Sequence, residues 1–95
     1  MKINRQEKLV LFTMNTLQEL INKGFLPQEI LKENGEVVKC SIDKRGKKIL
    51  KNLKPEPTQN EIIDTIMAMS DAGFVDKNLL FNCIKDIGDE FFIKN

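Results

Sequence analysis

Residues 28–54 read QEILKENGEVVKCSIDKRGKKILKNLK, and their reading decides the fold. At the centre stands Asn34-Gly35, the strongest short signal for a hairpin. A type I′ turn needs positive φ at both central residues, and this pair supplies it at low cost. A two-residue loop there sets Lys32 and Glu33 opposite Glu36 and Val37. The second arm, Glu36 to Ile42, is rich in β-branched residues and reads as a strand. The first arm has two readings, a strand or a single helical turn with Pro27 at its first position. We favour the strand, which gives a hairpin over about 28–42. Asp43 then reads as the N-cap of a helix over about 44–53. In that helix Ile49, Leu50 and Leu53 face inward, while Lys44, Arg45, Lys47, Lys48 and Lys51 cover the rest. Gly46 is unusual in a first helical turn and suits the close approach of another backbone.

Charge is concentrated in the same stretch. Val37 to Lys54 holds seven cationic side chains and one acid, Asp43, in a chain whose net charge is +1. Residues 1–58 carry twelve Lys or Arg against seven Asp or Glu, and residues 59–95 carry three against seven. A basic half and an acidic half follow, divided near the stiff connector Pro55-Glu56-Pro57. The basic half, 1–54, suits a polyanion; the acidic half, 58–95, suits a different task such as dimerisation.

Working outward, a helix is expected over about 5–23, because Val10, Met14, Leu17 and Ile21 recur at helical spacing. Leu9, Leu11, Phe12 and Leu20 widen the stripe, which places this helix centrally, covered on more than one side. Gly24 follows as its C′ residue, and Phe25 and Leu26 fold back behind it. Beyond the connector, Thr58 and Glu61 form a capping box that opens a helix to about residue 71, ended by Gly73. Asp76 caps a last helix over about 77–87. The tail Phe91-Phe92-Ile93 is apolar; it docks on its own core or reaches a partner chain. No internal repeat or low-complexity run is visible. The expected fold is α+β and mostly helical, four helices with one small hairpin in a single domain over residues 1–95.

Several chemistries are disfavoured. The chain has no histidine, so Ser–His and Cys–His dyads cannot form. Cys40 and Cys83 read as buried thiols rather than a bridge, which points to a reducing, cytoplasmic setting. Their spacing does not make a zinc site. The five glycines are isolated at apparent turns, caps or helix starts, with no phosphate loop among them. Asp86, Asp89 and Glu90 read as solvated charge. No run is long and apolar enough for a membrane span, and none resembles a signal peptide. An enzyme is therefore not expected, nor a cofactor, a metal or a small-molecule substrate. Lys outnumbers Arg thirteen to two, and Ile and Asn are abundant. That usage follows AT-rich codons and points to a low-GC bacterium, or a phage or plasmid within one.

The order of helix, Gly24-Phe25-Leu26, hairpin, and then Ile42-Asp43-x-x-Gly46-x-x-Ile49-Leu50 resembles the wing and following helix of winged helix-turn-helix proteins, over about residues 14–53. The resemblance implies a winged-helix-like domain and double-stranded DNA as partner. A full winged helix has two more helices ahead of its recognition helix, and the C-terminal pair or a second chain would have to supply them. Helix 5–23 stands in the recognition position yet carries few cations. Contact is therefore expected from the wing and the basic helix. Lys44, Lys47, Lys48 and Lys51 would meet phosphates. Arg45 is the choice for a base or minor-groove contact. Lys32, Asn34 and Lys39 would contribute from the hairpin. A homodimer would double these contacts. The second reading is a protein-binding accessory or inhibitor of a mobile element, for example an anti-defence protein. Its surface would be the acidic helices, with Phe91, Phe92 and Ile93 as anchors.

Overall fold

The computed structural model describes residues 4–33, 36–38, 44–53 and 55–91, with the backbone alone for 86–91. Helix α1 spans Arg5–Asn22, followed by a 3-10 turn at Gln28–Ile30. Strands β1 (Lys32–Glu33) and β2 (Glu36–Val37) come next, then helices α2 (Lys44–Lys51), α3 (Gln59–Asp71) and α4 (Lys77–Phe91). The fold is α+β and mostly helical, with four helices and a two-stranded antiparallel sheet among the described residues.

Helix α1 is the central element. Asn4 opens it by accepting the Glu7 N–H at 2.8 Å, the bond that satisfies a free donor of the first turn. Only Gln6, Glu7, Glu19 and Asn22 of its eighteen residues are exposed. The deepest positions are Leu9, Thr13, Leu17, Gln18 and Leu20, while Val10, Met14 and Ile21 flank the core half-buried. Of the expected apolar residues, Leu9, Leu17 and Leu20 are among the buried ones. A helix covered on more than one side has apolar residues all round, and spacing alone does not rank them. α1 packs against α3 and α2.

Helices α1 and α3 close in the same way. Gly24 (φ 86°) and Gly73 (φ 87°) take the left-handed conformation. The Gly24 N–H donates to Ile21 O and Phe25 N–H to Leu20 O; Gly73 N–H donates to Ser70 O and Phe74 N–H to Met69 O. Both are Schellman motifs, in which the residue after the glycine reaches back to the third-last carbonyl. The likeness continues along the chain. Leu20 and Met69 are buried, Phe25 and Phe74 are exposed, and Leu26 and Val75 are buried again. Pro27 and Asp76 then precede a new helical turn. A helix–Gly-Phe–apolar cap thus occurs twice.

The hairpin pairs Lys32 with Val37 and Glu33 with Glu36, the register expected for a two-residue loop; Asn34 and Gly35 lie outside the described residues. Its first arm is shorter than expected. Residues 28–30 form the helical turn, because Pro27 holds an extended φ of −75° and the Ile30 N–H closes back on its carbonyl at 3.3 Å. Strand pairing starts only at Lys32. On the second arm, residues 39–43 are outside the described part, and with them the expected Asp43 cap.

Two helix ends also differ from expectation. α2 stops at Lys51, but Asn52 N–H to Ile49 O and Leu53 N–H to Leu50 O, both 3.1 Å, tighten the last turn. Leu53 is buried in consequence, at 3% exposure. α4 continues through Gly88 to Phe91, so this glycine is not a stop. An isolated interior glycine weakens a helix by only about 1 kcal/mol relative to alanine.

The core draws on both charge halves. Leu17, Leu20 and Leu31 meet Ile66, Leu80 and Ile84 in one cluster.

Candidate nucleic-acid interface

Helix α2 separates its residues by chemistry. At 100° per residue, Lys44, Arg45, Lys47, Lys48 and Lys51 fall within an arc of about 160°. All five are exposed. On the opposite arc Gly46 and Leu53 are buried, with Ile49 and Leu50 half-buried. Gly46, with no side chain, keeps the packed side low, and α2 lies against α1. Lys44, Lys47, Lys48 and Lys51 are spaced i, i+3, i+4 and i+7, so they form one row about 10 Å long. Among the described residues, none of the five cations takes part in an ion pair.

The described hairpin differs in character. Lys32, one of the hairpin candidates, pairs with Asp76, with Nζ 3.3 Å from Oδ2. Glu33 and Glu36, both exposed, stand directly opposite each other, and like charges in that position repel. The described part of the hairpin therefore presents carboxylates, and the cationic surface rests on α2. Asn34 and Lys39, the other two hairpin candidates, lie outside the described residues, as do Phe92 and Ile93. Phe91 is the last residue of α4.

Two carboxylates act as structural clasps. Glu61 completes the capping box with Thr58, accepting its N–H at 3.0 Å. It also takes Nε and one terminal nitrogen of Arg5, each at 3.1 Å. Arg5 reaches the Pro55 carbonyl as well, at 3.3 Å, so it ties the start of α1 to the connector and the start of α3. The Thr58 N–H first, and then the Arg5 guanidinium, hold the Glu61 carboxyl below its ordinary value of 4.5. Asp76 caps α4 by accepting the Leu79 N–H at 3.1 Å. That bond, aided by Lys32 and opposed by desolvation, lowers its carboxyl from 3.8.

Sequence reasoning found the two caps but missed the Arg5–Glu61 and Lys32–Asp76 pairs, whose partners are 56 and 44 residues apart. Among the described residues no cluster of His, Cys, Asp or Glu could hold a metal ion, and no helix is long and apolar enough to cross a membrane. Cys83 is a free, half-buried thiol, and Cys40 lies outside the described residues. Comparison with protein-family models, with curated proteins and with solved structures found no match.

Proposed function

We propose that this chain is a non-enzymatic DNA-binding protein of winged-helix type that contacts phosphates through helix α2. One observation carries the reading: five exposed cations on a single helical face, none held in an ion pair among the described residues. Lys and Arg on such a face neutralise phosphates and release counterions, which gives affinity without sequence choice. Arg45, at the margin of the row, is the candidate for a minor-groove or base contact. Lys39 and Asn34 are assigned supporting contacts from the hairpin. The covered state of α1 supports a mode in which that helix does not enter a groove. The residue usage supports a phage or plasmid of a low-GC bacterium as the source, and the reading takes the protein to be a cytoplasmic homodimer. The protein-binding alternative draws support from Phe25 and Phe74, 43% and 42% exposed.

Titration of labelled duplex DNA tests the reading. With four to five phosphate contacts, the slope of log K against log salt is about −4, and affinity falls by roughly 10²–10³ between about 50 and 200 mM salt. The quadruple variant Lys44→Ala, Arg45→Ala, Lys47→Ala, Lys48→Ala loses most of both the affinity and the slope. Absence of binding by the parent protein at micromolar concentration and low salt would refute the proposal.

A further inference from the structure

Helix α3 carries an outer face that is the electrical counterpart of α2. At 100° per residue, Asn60, Asp64, Met67 and Asp71 fall within an arc of about 60°, and all four are exposed. Thr65, Ile66 and Met69, on the opposite side, are buried. Met67 is a large apolar side chain left 37% exposed. It stands three residues after Asp64 and four before Asp71, so the three are neighbours on the helix surface. α3 contains no Lys or Arg. Among the described residues, neither Asp64 nor Asp71 takes part in an ion pair. α2, with the sequence KRGKKILK, contains no acid.

The two faces also match in spacing. Lys44 and Lys51 are seven residues apart, as are Asp64 and Asp71. The helical rise makes both separations about 10 Å. Lys47 and Lys48 lie midway along the basic row, as Met67 lies midway between the two aspartates. Laid side by side, the helices bring each terminal Lys to an Asp, and the methylene stems of Lys47 and Lys48 to Met67. One chain cannot make this contact with itself. α2 and α3 both pack on α1 by their other sides, so their outer faces point away from the fold. We propose that α2 of one copy docks on α3 of a second copy, with Lys44 and Lys51 on the two aspartates and the lysine stems on Met67. In a two-fold dimer the contact is made twice. It occupies the row assigned above to DNA. Resting on that reading, the dimer so formed is the DNA-free state, and duplex DNA competes with the second copy.

Sedimentation of the full chain tests the contact without DNA. Concentration-dependent dimerisation is expected at low salt, with the dissociation constant rising about tenfold between about 50 and 200 mM salt as the charges are screened. The double variant Asp64→Lys with Asp71→Lys is expected to be monomeric, and so is Lys44→Glu with Lys51→Glu. Mixing the two, each shown folded by circular dichroism, restores the dimer, because each offers the charge that the other now lacks. Met67→Ser weakens dimerisation by about tenfold. A short DNA duplex is expected to dissociate the parent dimer. Only that step depends on DNA binding, so failure of the DNA reading and failure of this contact are distinguishable. A parent chain still monomeric at about 1 mM and low salt would overturn the proposal and leave the α3 face to a different basic partner. A dimer unmoved by either double variant, or a mixture of the two that stays monomeric, would overturn it as well.

Discussion

Thr13 sits on the inner side of α1 at 1% exposure, and its hydroxyl has no hydrogen-bond partner. Thr16 and Thr65, on α1 and α3, solve the same problem by donating to the carbonyl four residues back, at 2.9 and 2.7 Å. A buried hydroxyl left unpaired costs about 1–3 kcal/mol of desolvation that nothing returns. Valine has nearly the same shape and no polar group to satisfy. Thr13→Val is therefore expected to stabilise the protein by about 1 kcal/mol. In a domain of this size that raises Tm by roughly 4–8 °C. A calorimetric scan of the purified variant checks it, and a lower Tm would mean that the hydroxyl is bonded in solution.

At the scale of elements, the caps and clasps decide how stability responds to acid. Glu61 and Asp76 both have carboxyls lowered by the bonds they accept. Their contribution is present above the ordinary carboxylate values of 4.5 and 3.8 and is lost as pH falls through the lowered ones. Glu61→Gln with Asp76→Asn removes that linkage. The double variant is expected to be less stable than the parent at neutral pH, with the gap narrowing between about pH 5 and pH 2. Urea midpoints across that range read it directly; a constant gap would refute the assignment. Local chemistry of this kind was legible in the sequence. The Thr58–Glu61 box, the two glycine stops and the hairpin register each depend on residues only a few positions apart. The pairs Arg5–Glu61 and Lys32–Asp76 were not legible, because the fold alone brings them together. The repeated Gly-Phe unit was hidden for a different reason. α1 has eighteen residues and α3 thirteen, so the two caps fall out of register with the helix starts, and only Gly and Phe are shared in sequence. The face of α2 was readable from spacing, whereas the pairing of Lys32 with Asp76 required the tertiary fold.

For the whole molecule, charge and packing divide the chain differently. Charge splits it near Pro55-Glu56-Pro57, but the buried cluster joins Leu17, Leu20 and Leu31 to Ile66, Leu80 and Ile84 across that point. Residues 1–54, taken alone, keep α2 but lack α3, the other helix that packs against α1. Their apolar stripe would face water, and an isolated helix of α1's length is marginal without packing. The fragment is therefore expected to show little helical circular dichroism, and adding residues 55–95 in one chain to restore it. This bears directly on DNA contact. The fragment has a higher net positive charge than the whole chain, so charge alone would make it the better ligand for a polyanion. If instead the row on α2 matters, the fragment must order that helix on binding, and the lost conformational entropy of about 1–2 kcal/mol per residue weakens it. The full chain is accordingly expected to bind duplex DNA more tightly than residues 1–54 at equal salt. Equal or tighter binding by the fragment would show that charge density, and not the folded face of α2, carries the contact.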